Sequence, residues 1–260
     1  MSADEKMSAD NTSRFSDRVD AYVKYRPSYP DSLFDCLAGE GVLSAGSVVA
    51  DIGSGTGFFS ALLSRRVRTV RCVEPNDEMR NASVEFLSDF ANCEIVKGTA
   101  EHTTLGDASV DCVTVAQAFH WFDRRSSLAE FRRILKSGGK MILVWNNRLV
   151  DTPFLQSYEA ALKRYGNDYD EVNHQNLTDD VLAPCFAGGF AKRTFPNFQE
   201  LDFQGVMGRL MSSSYTPAEG SEKFASLRAL IRESFEKESA DGKIRFNYGT
   251  DVYWGAVAPQ

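Results

Sequence analysis

From about residue 47 the chain alternates between short, nearly continuous apolar runs and segments of helical periodicity. No other feature constrains its fold as strongly. Val48 to Ile52, Thr69 to Val73, Cys93 to Val96, Val110 to Ala116 and Lys140 to Trp145 are each short and rich in β-branched residues. A strand buried on one face alternates apolar with polar, whereas runs without alternation fit strands covered on both faces. Helical patterns lie between them: Leu128, Phe131, Ile134 and Leu135 line one face of a helix that Gly138-Gly139 is expected to stop. Strand, crossover helix, strand, repeated five times, predicts a parallel sheet with helices on both faces.

The pattern changes after Asn147. Phe154, Leu155, Tyr158, Ala161, Leu162 and Tyr165 mark an amphipathic helix, and a polar stretch from Gly166 to Asp180 separates it from apolar Val181 to Phe190. Residues 150–198 are too irregular for another plain βα unit and read as an inserted cap. Alternation returns near Glu200 to Val206. A helix carrying Phe224, Leu227, Leu230, Ile231 and Phe235 follows, and Ile244 to Val257 is placed to close the sheet as an antiparallel edge. Upstream, residues 14–40 read as two short helices broken at Arg26-Pro27-Ser28-Tyr29-Pro30, after a leader in which Met-Ser-Ala-Asp occurs twice.

Composition narrows the partners. With 29 basic and 36 acidic side chains the net charge is −7, which argues against nucleic acid or an anionic membrane surface, since both need a basic face. The longest wholly apolar run, Met141 to Trp145, falls far short of the ~20 residues that span a bilayer. The polar, acidic start shows neither a secretory signal nor a basic transit peptide. Five dispersed cysteines without a C-x-x-C pair read as reduced thiols, so a cytoplasmic location is expected. No His, Cys and carboxylate cluster has ligand spacing, so no metal is expected.

The strongest local signal is Asp51-Ile52-Gly53-Ser54-Gly55-Thr56-Gly57-Phe58, directly after the first strand and before a helix. Glycines let the backbone turn tightly and approach a ligand, and sheets of this kind bind ligands outside the carboxyl ends of their strands. Glu74 ends the second strand, where an acidic side chain takes both hydroxyls of a ribose. Glu101, just past the third strand, is placed to accept from an exocyclic amine. Asp51 at the loop's start would repel a pyrophosphate at short range. The spacing G-x-G-x-G also departs from the dinucleotide G-x-G-x-x-G, and no G-x-x-x-x-G-K-[ST] is present. S-adenosyl-L-methionine carries a sulfonium and an ammonium and no phosphate, and the acidic rim favours it.

These segments together resemble a family. Tyr22 to Pro30, the glycine loop, Val73-Glu74-Pro75-Asn76, Gly98-Thr99-Ala100-Glu101, Gln117-Ala118-Phe119-His120-Trp121-Phe122, Leu135 to Lys140 and Ser213 to Pro217 are similar to class I S-adenosylmethionine-dependent methyltransferases. Within that fold they resemble the methyltransferase type 11 group near the trans-aconitate methyltransferases. The likeness covers most of residues 14–257 and is weakest in the cap. It implies a Rossmann-like α/β fold with a doubly wound, mostly parallel seven-stranded sheet, the last strand reversed. The implied organisation is a disordered leader (1–13), a helical N-terminal lid (14–46), a cofactor-binding core (47–149), a variable cap (150–198), and C-terminal strands and helix completing the sheet (199–260).

Carried over residue by residue, the resemblance implies that Asp51, Gly53, Ser54 and Gly55 hold the methionyl part and Glu74 the ribose. Pro75, Asn76 and Met79 would flank the adenine, and Ala100 and Glu101 would bind its edge. Gln117 and Ala118 would lie near the sulfonium, with Arg26 and Tyr22 in the lid, where a cation pairs with the methionyl carboxylate. His120 and Trp121 would face the methyl group and the acceptor. The product would be S-adenosyl-L-homocysteine.

The reaction implied is methyl transfer to a small-molecule acceptor, an organic acid carboxylate among the possibilities. Carboxylates need no base; for an acceptor that must lose a proton, His120 and then Tyr25 are the candidates. Trp121, Trp145, Tyr158, Tyr165 and Tyr215 hint at an apolar or planar acceptor, although aromatics at helical spacing also build cores. A nicotinamide-dependent oxidoreductase and a non-catalytic cofactor-binding module are the rival readings. Monomer and dimer both stay open.

Overall fold

The computed structural model describes residues 25–167, 169, 178–213 and 215–259. Tyr22, the leader and the first of the two expected N-terminal helices lie outside the described residues. In chain order the elements are α1 (Asp31–Gly39), β1 (Val48–Ile52), α2 (Phe58–Ser64), β2 (Thr69–Glu74), α3 (Asp77–Phe86), β3 (Cys93–Lys97) and β4 (Val110–Ala116). A 3₁₀ turn at Phe119–Trp121 leads to α4 (Arg124–Ile134) and β5 (Leu135–Arg148). Then come α5 (Pro153–Tyr165), α6 (Asp179–Leu182), β6 (Phe186–Leu201), α7 (Phe203–Met211), α8 (Glu222–Glu238) and β7 (Ile244–Val257).

The seven strands form one sheet in the order β3-β2-β1-β4-β5-β7-β6. β1 to β5 are parallel, and β7 inserts antiparallel between β5 and β6. The doubly wound sheet with its last strand reversed is the expected one. Burial on both faces explains the continuous apolar runs. In β1, Val48, Ala50 and Ile52 pack with Phe131 and Ile134 of α4 on one side, while Val49 packs with Leu33 and Leu37 of α1 and Phe59 of α2 on the other. A third core joins Phe154 and Tyr158 of α5, Val206 and Leu210 of α7, Leu227 and Ile231 of α8, and Phe246 and Tyr248 of β7.

Helix starts follow side-chain capping. Asn76 accepts from the Met79 amide, Asp123 from Ser126, Thr152 from Leu155, Asp202 from Gly205 and Ser221 from Phe224, each worth about 1 kcal/mol.

Four features differ from the sequence reading. The sixth strand is Phe186–Leu201, inside the stretch read as cap, and the Glu200 to Val206 region turns into α7. β6 pairs only with β7, so one edge is open, and polar residues such as Arg193, Thr194 and Glu200 are exposed along it, which interrupts the apolar signal. Pro196 and the register shift near Gly188-Gly189 are tolerated for the same reason. The link from β3 to β4 contains no helix, and α4 ends at Ile134 rather than at Gly138. Gly138-Gly139 instead sits in the irregular start of β5, where a Cβ on Gly139 would lie 2.9 Å from the Asp111 carbonyl oxygen. Among the described residues no helix is long and apolar enough to cross a membrane.

Candidate functional site

The strand order reverses between β1 and β4, and a cavity opens there at their carboxyl ends. That crevice is where open α/β sheets place ligands. Its floor is the turn after β1. Gly53 has φ +68°, and its amide donates to the Val73 carbonyl at 2.9 Å, as does that of Ser54 at 3.1 Å. A Cβ on Gly53 would lie 2.8 Å from the Ala118 methyl, so the turn after β1 touches the turn after β4. Gly55 has φ +56° with open space on its Cβ side, and its amide donates to Glu74 Oε2 at 2.8 Å.

Two buried carboxylates organise this floor. Asp51 is 1% exposed, and its oxygens accept from the hydroxyls of Ser60 (2.6 Å) and Thr114 (2.9 Å), locking β1 to α2 and β4. Burial pushes its carboxyl up to about 6 despite these hydrogen bonds. Glu74 accepts from the amides of Gly55 and Asn76 (2.9 Å), one per oxygen, and burial raises it too. Each oxygen keeps a lone pair for a ligand.

Gln117 directly follows β4; its φ of +60° is unusual for a side-chain-bearing residue, and its amide donates to the Val144 carbonyl at 2.9 Å. Such backbone strain, of order 1–3 kcal/mol, is found where geometry serves a site. The turn carries His120 and Trp121, with ring centroids 4.7 Å apart, into the cavity wall.

Arg26, Asp51, Gly53, Ser54, Gln117, His120, Trp121 and Tyr215 therefore meet around one cavity, as the sequence reading expects. Gly55, Glu74, Pro75, Asn76, Met79, Ala100, Glu101 and Ala118 do not line it, but several join it through hydrogen bonds and packing. Arg80 donates to the carbonyls of Glu74 (3.1 Å) and Pro75 (3.3 Å), fixing the turn before α3. Met79 and Ala100 are each 4% exposed, and Glu101 Oε1 accepts from the Asp123 amide at 3.0 Å.

Two expected residues sit elsewhere. Trp145 is in the core, its ring 5.8 Å from that of Tyr253. Along β5 it shares a face with Met141 and Leu143, which turns it away from the cavity. Tyr25 does not line the cavity, and its ring packs where a Cβ on Gly208 would be.

Asn146 and Arg209 line the cavity and were missed. Asn146 follows Trp145 on the opposite face of β5 and donates to the Ser28 carbonyl at 3.2 Å, so it ties the lid side to the sheet. The signal available was a polar residue ending an apolar strand. The only signal for Arg209 is a charge among the apolar residues of α7. Tyr215 lies against Tyr169 at 4.9 Å. Burial alone would raise its hydroxyl, but the guanidiniums of Arg209, Arg148 and Arg26 outweigh that and hold it below its ordinary value. The site thus has an acidic pole at Asp51 and a cationic pole at Arg26 and Arg209.

A methionyl-nucleoside cofactor fits these residues. The Ser54 hydroxyl is buried in the cavity wall without a hydrogen-bond partner among the described residues, and the open side of Gly55 admits close approach to the backbone.

Comparison with known proteins agrees with the geometry. The methyltransferase domain family matches residues 50–143. An uncharacterized methyltransferase of Geobacillus thermodenitrificans is 30% identical over 189 residues, 68% of this chain and 87% of that protein. An uncharacterized methyltransferase-like protein of Schizosaccharomyces pombe is 32% identical over 59% of each chain, and a Mycobacterium tuberculosis methyltransferase is 40% identical over 52% of each. The chain thus spans little more than half the length of these last two relatives. A solved structure described as a type II methyltransferase from Anaeromyxobacter dehalogenans superposes with TM-score 0.70 at 23% identity. It covers 91% of this chain and 100% of its own, and shares the fold.

Proposed function

We propose that this chain, which belongs to the class I S-adenosylmethionine-dependent methyltransferase family, binds S-adenosyl-L-methionine on the turn after β1 and passes its methyl group to a small-molecule acceptor beside His120 and Trp121. The observation that carries this reading is the glycine turn itself. It is pinned by Val73 and Glu74, open at Gly55, and walled by the Ser54 hydroxyl, which has no hydrogen-bond partner among the described residues.

When bound, the cofactor supplies an electrophilic methyl: the acceptor's lone pair forms the new bond as the carbon–sulfur bond breaks and its electrons stay on a neutral thioether. No general acid is then required, and the protein's work is positioning, worth on the order of 7–11 kcal/mol in favourable cases. Glu74 offers its remaining lone pairs to the ribose hydroxyls. Asp51 gives the turn a negative charge for the ammonium, and Arg26 a positive one for the carboxylate. Asn76, Met79, Ala100 and Glu101 bound the adenine end. His120 and Trp121 exclude water and orient the acceptor, and for an organic acid carboxylate no proton need be removed. Five free thiols support a reducing, cytoplasmic setting.

Calorimetric titration with S-adenosylmethionine and S-adenosylhomocysteine, with NADH as control, tests the reading on wild type and Asp51→Ala. Micromolar binding of the sulfur ligands, about −8 kcal/mol, weakened by the substitution, is the expected result. Binding of NADH in their place would return the chain to oxidoreductase chemistry. Cofactor binding without turnover of any acid, phenol or amine acceptor would favour a non-catalytic module.

A further inference from the structure

We infer that Asn146 is a positioning residue for the cofactor: it latches the segment 25–30 against the sheet and so sets where Arg26 meets the methionyl carboxylate. The inference rests on the methyltransferase reading and adds to it the part of the sheet that governs the cofactor's amino-acid end.

Arg26, Pro27 and Tyr29 line the cavity, so this segment is one of its walls. Prolines at 27 and 30 keep it out of helix and sheet, and its carbonyls need other donors. Three side-chain amides from the sheet supply them. Asn146 of β5 donates to the carbonyls of Pro27 (3.4 Å) and Ser28 (3.2 Å). Asn197 of β6 donates to Ser28 at 2.6 Å, and Gln199 of the same strand to the Tyr25 carbonyl at 3.2 Å. Arg26 lies in sequence between these anchor points, and its Nη2 reaches the Ser212 carbonyl at 2.8 Å. Where the carbonyls of its neighbours are held, its own backbone is held too.

The direction of each amide is enforced. The Phe198 backbone amide can only donate, and it gives its hydrogen to Asn197 Oδ1 at 2.9 Å. Asn197 Nδ2 therefore faces Ser28 and Asn146 Oδ1, the latter at 3.2 Å. The Thr250 hydroxyl of β7 donates to the same Oδ1 at 2.5 Å. With two donors on its oxygen, Asn146 turns its Nδ2 to Pro27 and Ser28. Asn146 is 5% exposed and Thr250 fully buried, so an unmet donor here is costly. A strand end that needed only to pack would carry an apolar side chain, as Val144 does two positions earlier on the same face. Three strands instead orient one amide toward a wall of the cavity.

Calorimetry tests this by comparing S-adenosylhomocysteine with 5′-methylthioadenosine, a nucleoside thioether that lacks the amino-acid carboxylate and ammonium. The proteins are wild type, Asn146→Leu, Arg26→Gln and the double variant. Asn146→Leu is expected to weaken S-adenosylhomocysteine binding by ~10-fold or more and methylthioadenosine binding by less than about threefold. In the Arg26→Gln background the same substitution should weaken S-adenosylhomocysteine by less than about threefold, since a latch acting through Arg26 has nothing left to position. Hydrogen exchange of the ligand-free protein should quicken over residues 25–29 in Asn146→Leu. Equal losses for the two ligands would make Asn146 a structural residue and overturn the proposal. So would losses that add in the double variant, an unchanged S-adenosylhomocysteine affinity, or unchanged exchange over 25–29. Should Asn146→Leu fail to fold by circular dichroism, Asn197→Ala decides: it removes a donor to Ser28 from a half-buried position, and the same ligand contrast is expected at ~5-fold or more for S-adenosylhomocysteine. Failure of S-adenosylhomocysteine to bind wild type would strike the methyltransferase reading and this assignment with it. Binding by wild type alongside any of the contrary results would strike the assignment alone.

Discussion

Glu74 Oε2 accepts the amide hydrogen of Gly55 at 2.8 Å, so the residue that ends β2 holds the turn that follows β1. Its other oxygen accepts the Asn76 amide at the start of α3. A side chain that reads from the sequence as a ribose ligand is thus the clamp that shapes the glycine turn, so under the proposed function scaffold and ligand contact would change together.

Glu74→Gln tests that coupling. The amide oxygen keeps one backbone bond, but its NH₂ then faces a backbone donor. Burial already raises the Glu74 carboxyl, so neutralising it returns part of the desolvation cost. A stability loss of about 1–2 kcal/mol is expected in urea denaturation. S-adenosylhomocysteine affinity should fall further, by ~10–100-fold in calorimetry, because two ribose bonds to a charged acceptor go with it.

Gly53→Ala should cost about 2 kcal/mol or more, from a positive φ and from a Cβ placed 2.8 Å from the Ala118 methyl. Ala118→Gly removes the methyl but leaves the backbone conformation unfavourable. The double variant is therefore predicted to recover about half of the loss, giving a coupling energy of about 1 kcal/mol by thermal denaturation. Strict additivity would show that the turn moves as a whole and that the contact with Ala118 does not fix it.

What could be read in advance follows burial. β1, β2, β4 and β5 announced themselves because helices cover both faces, leaving runs such as Met141 to Trp145 with no polar interruption. β6 did not, because its open edge and Pro196 erase the same signal. At the candidate site, the turn at Gly53 and Gly55 was legible since a glycine run directly after a strand is a signal local in sequence. Arg209 and Asn146 were not, because each matters through partners far along the chain, Tyr248 and Ser28. Trp145 misled for a simpler reason: one position along a strand decides between cavity and core.

Asp51 gives the protein a pH dependence of unusual sign. Its carboxyl stands at about 6 in the native state against an ordinary 3.8, so between those values the native state binds more protons than the unfolded chain. Stability from this group is greatest below pH ~4 and is lost as pH rises to about 6, by about 3 kcal/mol in all. Glu130, held down to about 2 by Arg133 and Thr103 despite its burial, works oppositely and loses stability as pH falls from about 4.5. The difference between wild type and Asp51→Asn in urea melts from pH 4 to 7 isolates the first effect. Wild type should lose ground steadily over pH 4–6, and parallel curves would place the Asp51 carboxyl near its ordinary value.

His120 separates wall from base. It shares the cavity with Trp121, and both roles predict that His120→Ala harms the enzyme. They differ in which acceptors suffer. A base takes part only where the acceptor must lose a proton, so turnover of phenols or amines should drop by ~10²-fold or more while carboxylate acceptors lose less than ~10-fold. A residue that only walls the pocket lowers both alike, since each acceptor then sits loosely, and raises KM together with the dissociation constant for S-adenosylhomocysteine. Steady-state rates on one acid and one phenol, read beside that constant, distinguish the two. An equal loss on both acceptors with unchanged cofactor affinity would assign His120 to acceptor orientation and leave proton removal, where it is needed, to water.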